Sequence, residues 1–143
     1  MFLGEYEHTV DEKGRLAIPS RFRDELGEGV IITRGFDKCL YGFPRPFWET
    51  LAQQVTSVGL AQADARNVQR LLFSGAADLV FDRQGRVLIP QNLREYAGIG
   101  EQVVIAGLNR YFEIWSPERW KEQLEAMESN ASMFALQLSA LNV

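Results

Sequence analysis

The stretch Asp11-Glu-Lys-Gly-Arg-Leu-Ala-Ile-Pro19 occurs a second time, 71 residues further along the chain, as Asp82-Arg-Gln-Gly-Arg-Val-Leu-Ile-Pro90. The residues around it recur in the same order, so that Gly4 before the first copy corresponds to Gly75 before the second. A spacing that repeats together with its flanking residues indicates an internal duplication. The chain is therefore predicted to contain two tandem repeats of about seventy residues.

The composition is that of a soluble globular chain forming one domain, or two small units that share a core. Of the 143 residues, 46% are hydrophobic and 24% are charged, which is not the composition of a disordered protein. No apolar run approaches the roughly 20 residues that span a bilayer, and the N-terminus has no signal-peptide pattern. The single cysteine, Cys39, permits no intrachain disulfide, which fits a reducing cytosol. These features predict a cytoplasmic protein without a membrane partner.

Each repeat is predicted to form a strand, a tight turn, a second strand, a short helix and two further strands. In the first repeat, residues 4–10 alternate between apolar and polar side chains, as in a half-buried strand. Gly14 suits the turn because it readily takes positive φ. Ser20 is predicted to cap the short helix and Gly27 to end it. The predicted division is a first repeat at 1–60, a helical connection at 61–74, a second repeat at 75–120 and a C-terminal helix or tail at 121–143.

The last thirteen residues, from Ala131 to Val143, contain no charged side chain. Met133, Phe134, Leu136 and Leu138 are too apolar for a free tail in water. Two interpretations are open for this segment. It packs either onto its own domain or onto a neighbouring subunit as an oligomer contact.

The charges are sorted along the chain, although the net charge is −4. Residues 13–23 contain Lys13, Arg15, Arg21 and Arg23 and no acidic residue, whereas the segment after Ser116 is rich in glutamate. Twelve of the fifteen basic residues are arginine, the residue suited to bidentate contacts with phosphate and guanine. The location of charge matters more than its total, so a nucleic-acid partner remains open.

Two interpretations are also open for the duplicated turns. Asp11 and Asp82 can accept backbone N–H bonds or pair with Arg15 and Arg86, and so simply brace the loops. Alternatively, the basic neighbours make these turns a DNA-binding surface. On this second interpretation, the first turn is flanked by Lys13, Arg21 and Arg23, and the second turn is flanked by Arg83 and Arg94.

The sequence offers little that would support catalysis or metal binding. His8 is the only histidine, so a histidine-rich metal site is excluded, as is a Cys–His zinc site of ordinary spacing. No phosphate-binding glycine loop followed by Lys-Ser/Thr occurs. We therefore predict no enzyme activity, no metal and no cofactor.

At the residues of the duplicated turns the chain resembles the MraZ family over roughly residues 1–120. The resemblance rests on the motifs Gly4-Glu-Tyr6, Lys13-Gly-Arg15, Leu40-Tyr-Gly42, Asp64-Ala-Arg66, Phe73-Ser-Gly-Ala76 and Gln84-Gly-Arg86. Each Gly-Arg-(Leu/Val)-x-Ile-Pro run also resembles the wider AbrB class of swapped-hairpin DNA-binding proteins. The resemblance implies a mainly β fold with flanking helices (α+β), in which two AbrB-like repeats form a pseudo-symmetric, double-split β-barrel.

The resemblance also implies a function. It points to a bacterial transcriptional repressor of the division and cell-wall gene cluster, associated with the nucleoid. Such a protein binds direct repeats in double-stranded DNA upstream of its own operon, as a homo-oligomeric ring of roughly eight or more subunits. Position by position, Arg15 and Arg86 match the family's DNA-contacting arginines, and Asp11 and Asp82 match the residues that shape the loops.

The remaining site residues are assigned on weaker grounds. Lys13, Arg21 and Arg83 are auxiliary DNA contacts on the basis of charge, and Gly14 and Gly85 shape the loops. The alternative function is a non-catalytic assembly module or an antitoxin-like protein-interaction module. Retention of DNA favours the first hypothesis, and a stoichiometric protein partner without DNA favours the second.

Overall fold

A computed structural model describes residues 1–143, which form eight strands and six helices. The strands are β1 (Glu5–Thr9), β2 (Arg15–Ala17), β3 (Gly29–Arg34), β4 (Leu40–Phe43), β5 (Ala77–Val80), β6 (Arg86–Leu88), β7 (Gln102–Gly107) and β8 (Phe112–Trp115). The helices are α1 (Ser20–Leu26), α2 (Arg45–Thr56), α3 (Ala63–Gly75), α4 (Gln91–Ala97), α5 (Pro117–Ser129) and α6 (Ala131–Ala140). The fold is therefore α+β. Each repeat has the predicted order of two strands, a short helix and two further strands.

The two repeats are interleaved in one antiparallel sheet of order β1-β7-β8-β4-β3-β5. Strand β1 of the first repeat pairs with β7 of the second, and β5 of the second repeat pairs with β3 of the first. The equivalent strands β4 and β8 pair at the centre. Replacing each strand by its counterpart in the other repeat gives the same order read from the opposite edge, so the arrangement is pseudo-twofold symmetric. The sheet is open, with β1 and β5 at its edges, and closure into a barrel stays a prediction.

The central strands are buried on both faces, which explains their continuous apolar sequences. In β3, Val30 and Ile32 face one core while Ile31 faces the other. The first core lies between the sheet, the β2–β6 pair and the short helices α1 and α4. The second lies on the opposite face beneath α2 and α3, where Leu72 and Trp115 are buried. Neither core belongs to one repeat alone.

The short helix α1 begins differently from the prediction. Ser20 is its first helical residue and the capping position is Pro19, with no side-chain cap hydrogen bond. Proline has a fixed φ near the value required at a helix start, so the chain enters the helix without a hydroxyl cap. Phe22 and Leu26 are both buried, and Gly27 ends the helix with φ of 73°. The prediction of a Ser20 cap is therefore wrong, and the prediction of the Gly27 end is confirmed.

The two C-terminal helices differ in their packing: α5 contacts the second core through Trp120, whereas α6 contacts neither core. Ser116 caps α5 by accepting a hydrogen bond from the backbone N–H of Arg119. Every residue of α6 is exposed. Packing of this segment onto its own domain is therefore not observed. No helix in the structure combines the length and apolar character needed to cross a membrane.

Candidate nucleic-acid interface

The first turn is built around the carboxylate of Asp11. Its Oδ1 atom accepts backbone N–H bonds from Lys13 and Arg15 at 3.0 and 2.9 Å, and its Oδ2 atom accepts Nε of Arg15 at 2.6 Å. Gly14 adopts φ of 89° and donates its N–H to the Asp11 carbonyl at 2.9 Å. The positive φ explains the requirement for glycine, because a side chain disfavours that conformation. The first turn is thus a rigid loop that orients Arg15.

The second turn repeats this geometry. Asp82 Oδ1 accepts the backbone N–H groups of Gln84 and Arg86, both at 2.9 Å, and Oδ2 accepts Arg86 Nε at 2.9 Å. Gly85 adopts φ of 75°. The two five-residue turns have only Asp, Gly and Arg in common, and these residues make equivalent hydrogen bonds in both. Each arginine therefore braces its own loop through Nε, as the first interpretation of the turns predicts. The rest of each guanidinium group makes no hydrogen bond in the loop.

Hydrogen bonding stabilises the charged form of both aspartates. The backbone N–H of Arg15, followed by the Arg15 side chain, holds the pKa of Asp11 below its ordinary value despite the opposing effect of desolvation. The corresponding groups of Arg86 lower the pKa of Asp82 in the same way. A carboxylate that accepts several N–H bonds is harder to protonate because protonation removes acceptor capacity. The carboxylates of Asp11 and Asp82 are therefore ionised and paired with Arg15 and Arg86 at neutral pH.

Strands β2 and β6 bring the two turns together in a two-stranded antiparallel ribbon. Leu16 and Val87 pair with each other and are fully buried in the first core. Since side chains alternate along a strand, the other face of the ribbon presents Arg15, Ala17, Arg86 and Leu88. Arg15 is opposite Leu88, and Ala17 is opposite Arg86. Two arginines and two apolar side chains thus share one outward face.

One ion pair crosses between the two turns and makes them unequal. Arg86 Nη1 lies 3.8 Å from Asp11 Oδ2, in addition to its own bond with Asp82. Arg15 forms an ion pair only with Asp11. The terminal nitrogens of Arg15 donate no hydrogen bond within the protein, its bond to Asp11 being made by Nε, whereas one terminal nitrogen of Arg86 faces the carboxylate of the other turn. The side chains of Arg15 and Arg86 remain 34% and 27% exposed.

Arg23 and Arg94 lie against the turn of the opposite repeat. Arg23 Nε donates to the Ile18 carbonyl at 3.0 Å, and its guanidinium covers Gly85, where an added Cβ would lie 2.5 Å from Cζ. Arg94 Nε donates to the Ile89 carbonyl at 3.0 Å, and its guanidinium covers Gly14 at 2.9 Å by the same measure. The prediction that Arg23 flanks the first turn and Arg94 the second is therefore wrong. Exchange of strands between the repeats carries each arginine to the other turn.

Lys13, Arg21 and Arg83 lie at the edges of this surface. All three side chains are exposed, and none takes part in the ion pairs of the structure. Lys13 and Arg83 belong to the turns themselves, whereas Arg21 is on the exposed side of α1. Their DNA-binding role stays a prediction.

Leu88 was not identified from the sequence. Its side chain is 55% exposed on the outward face of the ribbon, where the equivalent residue of the first repeat is Ala17. The available signal was the apolar residue at an outward strand position, one residue away from the buried Val87.

No group of three or more His, Cys, Asp or Glu side chains is arranged to hold a metal ion.

The fold and the paired turns define a class of duplicated proteins in which two strand–turn–strand units exchange strands. Comparison with known proteins agrees with this classification. A family model described as "MraZ protein, putative antitoxin-like" matches the chain twice, at residues 1–71 and 72–140. The chain belongs to the MraZ family.

Similar proteins cover almost the whole chain. The "Transcriptional regulator MraZ" of Roseiflexus sp. (strain RS-1) is 67% identical over 141 residues, which is 99% of each chain. The protein of the same name from Herpetosiphon aurantiacus is 50% identical over 143 residues, the whole of both chains. That of Thermomicrobium roseum is 45% identical over 142 residues and 99% of each chain. The chain is therefore a member of a family of transcriptional regulators.

Proposed function

We propose that this protein is a sequence-specific DNA-binding repressor that reads double-stranded DNA with the β2–β6 ribbon. The observation that carries this proposal is the outward face of the ribbon, on which Arg15 and Arg86 lie together. The major groove is about 12 Å wide and admits a two-stranded β-ribbon. Arginine binds the O6 and N7 atoms of guanine bidentately, so these two residues are suited to base recognition.

Residues around the ribbon supply the contacts that hold it on the DNA. Lys13, Arg21 and Arg83 are exposed cations that would bind phosphates. Arg23 and Arg94 each use Nε to bind a carbonyl of their own repeat, which leaves their terminal nitrogens free to approach the backbone of the DNA. Phosphate contacts fix the position of a protein on the duplex, while base contacts select the sequence.

The acidic total charge is compatible with this function because a group of glutamates lies away from the ribbon, and the turn residues Asp11 and Asp82 are paired with arginines. Glu118, Glu122, Glu125 and Glu128 are on α5, which is separate from the ribbon. We propose that subunits assemble into a homo-oligomeric ring of roughly eight or more copies, so that many ribbons line one surface. Weak contacts at successive direct repeats then add through multivalency.

The proposed target is the chain's own promoter region in the division and cell-wall gene cluster, which places the protein in the cytoplasm at the nucleoid. We also propose that the sheet and ribbon together form the double-split barrel of the AbrB-like fold. The Val10–Leu16 bridge and the Ile18 N–H to Gly85 carbonyl bond at 3.2 Å support this, because they link ribbon to sheet and repeat to repeat. No catalytic step is assigned.

The function is tested by footprinting on the upstream region of the gene and by titration of that fragment at several salt concentrations. The wild type should protect repeated short segments, and its affinity should fall steeply with salt because bound cations release counterions from phosphate. The double variant R15A/R86A should lose protection. R70A removes an exposed arginine of α3, which packs on the opposite face of the sheet from the ribbon, and serves as the matched control. Equal binding by the double variant and the control would refute the proposal.

The alternative is an interaction module that binds a protein rather than DNA. The observation that favours it is the exposed, uncharged α6. A pull-down from the native host, with and without nuclease treatment, separates the two functions. A stoichiometric partner protein, recovered while operator DNA is not retained, would favour the alternative.

A further inference from the structure

We propose that α6 of one subunit inserts into an apolar groove on the next subunit and so forms a head-to-tail contact. The groove lies between α2, α3 and the sheet, and we call it the α2–α3 groove. All nine side chains that line it are hydrophobic, among them Phe36, Phe47, Leu51, Val68 and Tyr111. Its volume is about 350 Å³, and Phe36 at its rim is 56% exposed.

The α6 helix has the character that such a groove accepts. Phe134, Leu138 and Leu141 are spaced by four and three residues, so they form one stripe along α6 and its C-terminal cap, Leu141. They are 44%, 53% and 70% exposed. Ser132 and Ser139 lie on the opposite side of the helix by the same periodicity, together with the exposed Leu136. Helix-in-groove recognition uses apolar anchors at this spacing.

Both surfaces lack charged side chains, which makes α6 a suitable occupant of the α2–α3 groove. The segment from Ala131 to Val143 has no charged side chain, so its burial requires no ionic partner. The α2–α3 groove likewise offers no charged residue in its lining. Burial of either surface against a charged partner would leave an unpaired charge, which is costly. These are two uncharged surfaces of one chain, and each is suited to cover the other.

The contact must form between copies because α6 is exposed along its whole length in the single subunit. Helix and groove are different surfaces, so each copy offers one of each. A contact of this heterologous kind repeats from copy to copy and closes into a ring when the rotation permits. The inference thus rests on the ring proposed above and gives that ring an interface. It is measured without DNA, so its failure is distinct from a failure of the DNA-binding proposal.

The test uses three full-length variants compared by light scattering coupled to size exclusion at micromolar concentration. L138D places a carboxylate on the stripe formed by Phe134, Leu138 and Leu141, and F36D places one at the rim of the groove. S139D places the same charge on the side of α6 that faces away from this stripe. L138D and F36D should each lose the ring and run as folded monomers, with far-ultraviolet circular dichroism unchanged. S139D should assemble like the wild type.

Mixing L138D with F36D makes the test specific. L138D keeps an intact groove and F36D keeps an intact α6, so the mixture should form a complex of one copy of each and nothing larger. If F36D alone assembled like the wild type, α6 would not bind the groove and the proposal would be overturned. A mixture that stays monomeric, or equal loss of assembly in S139D, would overturn it as well.

Discussion

The first and second turns have the same internal geometry but differ in how the arginine is held. In both, an aspartate accepts two backbone N–H groups and one Nε. Only Arg86 reaches across to the other turn, where its Nη1 lies 3.8 Å from Asp11. Duplication therefore preserved the shape of the loop while the side chains diverged. The comparison predicts that Arg15 is the principal DNA-reading residue and that Arg86 combines reading with bracing.

The largest expected difference is between R15A and R86A in DNA binding. A good bidentate arginine–guanine pair contributes about 1–3 kcal/mol, and each subunit of a ring repeats the loss. R15A should abolish retention of the operator fragment, while R86A should weaken it to a smaller extent because Arg86 is partly engaged by Asp11. Fluorescence anisotropy with a labelled fragment measures both, with R70A as control. A larger loss in R86A would reverse the assignment of the two roles.

The glycines test whether the two turns are equally strained by a side chain. G14A and G85A should each lower the free energy of unfolding by about 1–2 kcal/mol, since a Cβ at positive φ is unfavourable. The effect should be greater in G85A, where the added Cβ lies 2.5 Å from Arg23 Cζ, than in G14A, where Arg94 Cζ lies at 2.9 Å.

Urea titration of these variants measures the difference, and G100A is the matched control. Gly100 has no atom within 4 Å of an added Cβ and no positive φ. Its replacement should leave stability unchanged or raise it slightly. If G14A and G85A behaved like G100A, the turns would not depend on glycine.

Acid unfolding tests whether the two aspartates contribute alike. The folded-state pKa of both is lowered, so their contribution to stability is present above the ordinary pKa near 3.9 and is lost as the pH falls through the lower folded value. D11N and D82N should each make stability less dependent on pH below about 4. Thermal unfolding across that pH range measures this. Equal flattening means that the Arg86–Asp11 contact adds nothing, and an unchanged pH dependence in both variants would contradict the pairing itself.

The smallest expected effect concerns Ala17 and Leu88, the apolar residues on the outward face. Leu88 is suited to contact the methyl group of thymine, and loss of one methyl-sized contact costs about 0.8 kcal/mol, or roughly fourfold in affinity. Operator DNA with uracil in place of thymine should bind the wild type that much more weakly. L88A should bind both DNAs equally. A17G serves as the control, and a thymine preference that survives in L88A would rule out this contact.

Much of the fold could be predicted from the repeat and from local chemistry. Gly14 follows from the conformational demand of a tight turn, and the buried strand at Val30 follows from its continuous apolar residues. The prediction of a cap at Ser20 was wrong because Pro19 already fixes the backbone at the helix start. Residue patterns do not specify which strand is the neighbour of which. The exchange of strands was implied by the family resemblance alone.

The site shows the same limit. Arg15 and Arg86 were found because they occupy equivalent positions in both copies. Arg23 and Arg94 were placed beside the wrong turns, because proximity along the chain is a poor guide when the partner segment comes from the other repeat. Leu88 was missed because an apolar residue in a strand is ordinarily assigned to the core. The outward direction of its side chain depends on the register of β2 and β6.

The pseudo-twofold symmetric strand order has a consequence for how the protein unfolds. Each edge strand of the sheet is hydrogen-bonded to a strand of the other repeat: β1 pairs with β7, and β5 pairs with β3. Two fragments produced by a protease cut between α2 and α3 would therefore remain associated. Neither fragment would keep a hydrophobic core after separation from the other. Loss of either half should dismantle the DNA-reading ribbon and the sheet in a single event.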